Sequence, residues 1–276
     1  MSEPENQMAD VTPVYGAPHQ QDQPRVEEPA RLGPFARLTG TLLSPGETFA
    51  DVNRKPTWIA PMIIAVATVL ASTFFFQWRV NPDWDSIMRN QIKKRMESSN
   101  QSLTEEQMQQ QVSFAKGIAK FSPLIAAVFT PIIYVILAGI FALGLIFVQA
   151  KTTFKKILSI VAWSSAATGV VATIVTMASL MVRDEEGLRS IDPTQSAGIV
   201  PSNLAAFLSS ETSAVIKSVA GSIDIFSIWF LILLTIGFAA IAGSRKITTG
   251  KTATVVFGFW AGYVLLKVGW AAVFGG

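Results

Sequence analysis

The chain contains no cysteine and a single histidine, His19. Disulfides, zinc knuckles, iron–sulfur clusters and thiol nucleophiles are thereby excluded. One imidazole in a polar N-terminal stretch leaves no His pair for a metalloprotease and no base for a Ser-His triad. Charge is scarce as well: 15% of the 276 residues are Asp, Glu, Lys or Arg, where soluble domains carry roughly a quarter. No short basic segment with an apolar core opens the chain, because the first apolar run begins at Trp58. The first helix is therefore expected to serve as its own insertion signal. With so few acids, bases and nucleophiles, no catalytic, cofactor-binding or metal-binding residue is assigned, no cofactor is expected, and the reading is non-enzymatic.

Hydrophobic residues make up 50% of the chain, and their arrangement decides the class. They fall in five runs, at about residues 58–78, 121–148, 157–182, 223–243 and 253–274. Each is long enough to cross a hydrocarbon core, which takes about 20 residues of helix. Lipid cannot satisfy a free backbone amide, so spanning segments must be helices or a closed barrel. The expected fold is an all-α membrane protein: a bundle of five transmembrane helices, with short amphipathic helices in the N-terminal region and the first long loop. Trp58, Trp78, Trp163, Trp229 and Trp270 lie near the ends of the runs, as the aromatic belts of a bilayer require.

Residues 1–33 are rich in Pro, Gln, Glu and Asp and are expected to form a disordered polar tail. Phe35, Leu38 and Leu42 then recur at helical spacing. Ser44-Pro45-Gly46-Glu47 follows and reads as a capping box with proline at the first helical position, before Phe49 and Val52. This segment fits either an interfacial helix on the membrane surface or a helix packed on the end of the bundle. The connection between the first two runs, residues 79–120, is expected to hold two amphipathic helices. One places Met88, Ile92 and Met96 on a face; the other follows a capping box of Ser102 and Glu105 and presents Met108, Val112, Ala115 and Ala119. Arg89, Lys93, Lys94 and Arg95 form a basic cluster there, read as a solvated face.

The short connections hold Lys151, Lys155 and Lys156, and Arg245, Lys246 and Lys251, with no acid. The long third connection, residues 183–222, carries Asp184, Glu185, Glu186, Asp192 and Glu211. By the positive-inside rule the short loops are cytoplasmic, the N-terminus is inside and the C-terminus outside. Within the spans ionisable groups are nearly absent: Asp224 stands at the mouth of the fourth and Lys267 near the end of the fifth, where snorkelling to the interface explains it. Pro123 and Pro131 predict a kink or broken turn in the second span. Small residues four apart (Ala162 and Ala166, Ser165 and Gly169, Gly258 and Gly262) predict close helix packing within the bundle, with homo-oligomerisation as the sharper alternative. Gly250-Lys251-Thr252 ends like a phosphate-binding loop, but six residues separate Gly243 from Gly250 where that loop has four, and the string reads as a basic turn.

Three features together resemble the Yip1 family of membrane proteins: Ser44 to Phe49 ahead of Pro56 and Pro61, the segment Thr153 to Trp163 entering the third span, and the small basic loop leading to Trp260 and Tyr263. The resemblance covers roughly residues 42–274 and places a Yip1-like membrane domain over residues 34–276, of a bacterial type. In eukaryotic members it implies vesicle traffic and Rab GTPase binding. This chain lacks the Asp-Leu-Tyr-Gly-Pro stretch ahead of the first helix and has Trp163 where tyrosine is more usual, so that role is not carried over. The expected role is a membrane-organising scaffold in a cell (inner) membrane. Its expected partners are the lipid bilayer and proteins met through the cytoplasmic tail and the amphipathic helices, not nucleic acid. A permease or a lipid or small-molecule transporter subunit is the alternative.

Overall fold

A computed structural model of the chain describes residues 32–99, 102–189, 191, 199–209, 211–243 and 247–274. The expected tail, residues 1–33, lies almost wholly outside the described residues. All named elements are helices. The first two, α1 (Pro34–Leu43) and α2 (Pro45–Arg54), are short. They are separate because Pro45 excludes a helical Ser44, which sits at φ −142° and ψ 60°. Ser44 makes no side-chain cap, so the expected capping box does not form; its carbonyl instead accepts the Thr48 hydroxyl at 3.0 Å.

The spans are α3 (Ile59–Val80), α5 (Glu105–Phe147), α6 (Phe154–Val182), α9 (Ile225–Ile241) and α10 (Thr249–Phe274). Four of them are long and apolar enough to cross a membrane, and α9 is a shorter apolar helix of 17 residues. The runs read from the sequence are thus found with shifted ends. α6 and α10 begin earlier than 157 and 253, and α9 is shorter than 223–243. α3 stops at Asn81, which takes the left-handed conformation (φ 45°) that asparagine tolerates, ahead of Pro82. The spans pack as a bundle, α6 against α3, α5 and α9, and α10 against α9.

The second span differs most from expectation. Residues 105–147 form one 43-residue helix, so the second amphipathic helix of the first loop and the span beginning at 121 are a single element. At about 1.5 Å per residue it is about 64 Å long, twice the ~30 Å hydrocarbon core. Its start is a capping box, made by Thr104 and Gln107 rather than Ser102 and Glu105: Thr104 Oγ1 accepts from the Gln107 amide at 3.3 Å, and Gln107 Oε1 accepts from the Thr104 amide at 3.0 Å. The helix runs unbroken through Pro123 and Pro131. Pro131 removes the donor to the Ala127 carbonyl, and beside it the Thr130 hydroxyl donates to the Ala126 carbonyl at 2.7 Å. Against its protruding half lies α4 (Trp84–Ser99), forming an antiparallel hairpin. The expected apolar face is real there: Met108 and Val112 are buried.

Lys151, Lys155, Lys156 and Lys251 gather at one end of the bundle, the basic end. At the other end the third connection contains helices not foreseen from the sequence, α7 (Glu185–Arg189) and α8 (Ala214–Ala220), with a 3-10 turn at Leu204–Phe207 between them. A small second core of Leu180, Leu188 and Ile191 packs there on Phe75, Phe76 and Val80. Arg79 donates to the Arg183 carbonyl at 2.7 Å, and Arg183 to the Ile199 carbonyl at 2.9 Å.

The main core holds Phe49 and Val52 of α2 together with Phe141, Ile160, Trp163, Leu233, Leu234 and Phe238. α2 is therefore part of the bundle. Two glycines the sequence reading passed over permit close approaches between spans. A Cβ at Gly237 would collide with Ile160 and lie 3.3 Å from Phe49 Cδ2, and one at Gly144 would collide with Phe259 and Val255. By contrast a Cβ at Gly169, Gly258 or Gly262 would meet open space, so the expected close contact is not made at these three, although Ala162 and Ala166 are buried as expected.

Candidate functional site

The most elaborately built polar feature is a buried ionic hub beneath α1 and α2. Arg37 and Asp51 are 2% and 3% exposed. Arg37 Nε and Nη2 both donate to Asp51 Oδ2, at 2.9 and 2.8 Å. Nη2 also reaches the Asp51 carbonyl at 3.3 Å, and Nη1 donates to the Lys55 carbonyl at 3.1 Å and to Thr57 Oγ1 at 2.6 Å. Every nitrogen of the guanidinium is used, which is what a buried charge requires to offset its lost hydration. Trp163 Nε1 of α6 donates to the same Thr57 oxygen at 3.4 Å. Four segments meet at this point: α1, α2, the start of α3 and α6.

Local sequence explains the assembly. α1 crosses α2 at Gly40, where a Cβ would strike Thr48 Oγ1. The Thr41 hydroxyl turns back onto the Arg37 carbonyl at 2.7 Å and is thereby removed as a competing polar group. Two residues after Asp51, Asn53 Nδ2 donates to the Ala240 carbonyl at 3.1 Å, in the last turn of α9. With 17 residues α9 spans about 26 Å, short of the ~30 Å core. α2 completes it: Phe49 fills the space over Gly237 and Asn53 satisfies a carbonyl the helix end would leave open. The choice between surface and packed helix is thus resolved toward packing for α2. α1 packs on the bundle as well, with Phe35 and Leu43 left 77% and 83% exposed on its outer side.

Trp163 is a correction. It is fully buried at the hub and is not a belt residue, whereas Trp58, Trp78, Trp229 and Trp270 are exposed near span ends. Sequence reasoning missed the pairing of Arg37 with Asp51 because their spacing of 14 residues across a proline break carries no periodic signal. Asp224 caps α9, accepting from the Ser227 amide at 2.9 Å and from the Ser202 hydroxyl. Lys267 donates to Ser222 Oγ at 3.0 Å, at the end away from the basic loops. Hydroxyls within the spans bond mostly to their own helix: Thr68 to Ile64, Thr73 to Val69, Thr168 to Ser164 and Thr235 to Leu231, all at 2.8–2.9 Å. Bound in this way they do not form a relay. Among the described residues no group of three or more His, Cys, Asp or Glu side chains gathers.

At the other end the α4–α5 hairpin is tied by exposed pairs. Lys116 meets Asp85 at 2.5 Å and Arg89 meets Glu105 at 2.6 Å, so Arg89 of the basic cluster is paired rather than merely solvated. Asp83, in the turn before α4, accepts the Ser86 hydroxyl at 2.6 Å, and this bond, with the Ser86 amide, holds its carboxyl below the ordinary aspartate range.

Long apolar helices, lipid-facing surfaces and a closed polar hub at one end define an integral, multi-pass, all-α membrane protein. The sequence matches the Yip1 domain over residues 39–271, and the chain belongs to the Yip1 family. It is also similar to a membrane protein of Bacillus subtilis (strain 168), YknW, with 26% identity over 223 residues, covering 80% of this chain and 85% of that one. No solved structure matches.

Proposed function

We propose that this protein is a non-enzymatic membrane-organising scaffold whose basic end faces the cytoplasm. The observation that carries the reading is the fixed presentation of α1: the Arg37 hub clamps it to the bundle while Phe35 and Leu43 point outward. A rigidly held apolar edge costs little ordering entropy when it engages another surface. The α4–α5 hairpin is a second such platform beyond the far end. The basic loops support the orientation through the positive-inside rule.

The test places a photo-crosslinking amino acid at Phe35, at Leu43 and, as a lipid-facing control, at Leu265, in the full chain in its own membrane. Discrete protein adducts at the first two positions and not at the third are expected. Lipid adducts alone at all three, together with solute movement by the reconstituted protein that Lys267→Ala abolishes, would replace the scaffold with a permease. A reporter fused after Gly276 is expected outside; a cytoplasmic reporter reverses the orientation.

A further inference from the structure

Three helices, α3, α6 and α10, start at the basic end, and two, α5 and α9, finish there. The positive ends of three helix dipoles therefore face one way. None of the three has an acidic residue in its first turn, and two carry lysines in it: Lys155 and Lys156 in α6, and Lys251 in α10. Cations placed there oppose the dipole, the reverse of the usual arrangement. Asp51 is already engaged by Arg37. An anionic layer outside the protein is what this electrostatic pattern complements.

At the seam where α5 ends and α10 begins, the surface is also shaped. A cavity of about 320 Å³ is lined by Phe147, Val148, Gln149, Lys251 and Thr254, close to the lower limit of about 300 Å³ for ligand sites. Its two halves differ in kind. Phe147, 86% exposed, continues the outer side of α5 and Val148 packs half-buried behind it, while Gln149 and Lys251 supply an amide and an ammonium; the Thr254 hydroxyl is turned onto the Gly250 carbonyl at 3.1 Å. On the bilayer side the seam is closed where Gly144 admits Phe259 and Val255. Gln149 holds φ 58°, a left-handed conformation in which glycine is the usual helix-ending residue. Retaining a glutamine there costs backbone energy and keeps an amide side chain at the cavity mouth.

We propose that this seam seats the headgroup of an anionic phospholipid, its phosphate against Lys251 and Gln149 at the N-terminal turn of α10 and its acyl chains along the exposed faces of α5 and α10. The apolar half of the lining selects a lipid over a free phosphate ion, which gains nothing from Phe147. The inference needs only that the basic end lie at a headgroup layer, so it stands or falls apart from the scaffold reading.

The test is native mass spectrometry of the full chain in neutral detergent, with phosphatidylglycerol and phosphatidylcholine added in equal amounts. Retention of phosphatidylglycerol over phosphatidylcholine by roughly tenfold is expected. Lys251→Gln removes that preference and Lys251→Arg keeps it, whereas Lys155→Gln with Lys156→Gln leaves most of it. Gln149→Gly is the most discriminating variant: it relieves the left-handed strain, so thermal stability holds or rises, while phosphatidylglycerol retention falls. Equal retention of the two lipids overturns the proposal. So does a loss shared evenly among all the lysines, which means a diffuse positive surface, and so does binding of inorganic phosphate with no lipid preference, which means a soluble anion. Unchanged retention in Gln149→Gly and Lys251→Gln would move the lipid elsewhere on the protein.

Discussion

The two amphipathic regions, α1–α2 at the basic end and the α4–α5 hairpin at the far end, read alike in the sequence. Both pair apolar residues at helical spacing with scattered charge, and each carries a capping-type signal ahead of its second helix. Their energetics differ because of depth. Arg37 and Asp51 meet at 2.8 Å out of water. Lys116 and Asp85 meet at 2.5 Å with about half of each side chain in it. An exposed pair is screened and contributes little, whereas a buried pair cannot lose one member without stranding a charge. Geometry alone would rank the two equally; burial separates them.

The largest effect expected from breaking that contrast is at the hub. Arg37→Ala should destabilise by about 3–5 kcal/mol, since Asp51 stays buried and loses its closest cation, with Arg54 at 3.9 Å a more distant and partly exposed one. Thermal unfolding in detergent, followed by tryptophan fluorescence, checks it. Replacing both partners with apolar residues, Arg37→Met with Asp51→Leu, should cost far less; an equal loss in the double variant would mean the pair's specific geometry, not its desolvation, holds α1 in place. Next in size is Gly237→Leu, which forces side chains into Ile160 and Phe49 and should cost about 1–3 kcal/mol. It should also loosen α2 from α9, read as faster proteolysis after Arg54. Trp163→Phe keeps most of the packing and removes the bond to Thr57, a loss of about 0.5–1.5 kcal/mol.

The smallest effects belong to the hairpin. Lys116→Gln should cost no more than about 1 kcal/mol, and less as salt is raised; a loss equal to that at Arg37 would erase the distinction between the two regions. Acid should act here. Asp83 has a lowered pKa when folded, so its contribution is complete above the ordinary aspartate value of 3.8 and is lost as pH falls below that value through the folded one. Hydrogen exchange at the start of α4 should therefore accelerate in that window, and Asp83→Asn should remove the dependence.

Residue patterns made much of the architecture legible. Uncharged runs of about 20 residues admit only one solvent and one kind of backbone pairing, so class, span number and approximate limits follow from composition and length. The faces of α4 and of the outer half of α5 were equally plain, because Met108 and Val112 follow the helical period. The joining of that outer half to the span was obscured by Pro123. A proline ordinarily ends a soluble helix but is tolerated where neighbouring groups satisfy the freed carbonyl. The cap at Thr104 was obscured by an equally good pattern two residues earlier.

The sequence by itself determined that the chain enters a bilayer as helices and which segments do so, because transfer of an apolar run depends only on the run. Tertiary structure decided the rest: that Arg37 finds Asp51 and Thr57, that Trp163 turns inward, that Gly237 and Gly144 rather than Gly258 and Gly262 carry the contacts, and that α2 completes a span too short to finish itself. Each of these joins residues distant in sequence. Their energies come from burial and contact, quantities a linear string of residues does not contain until it is packed.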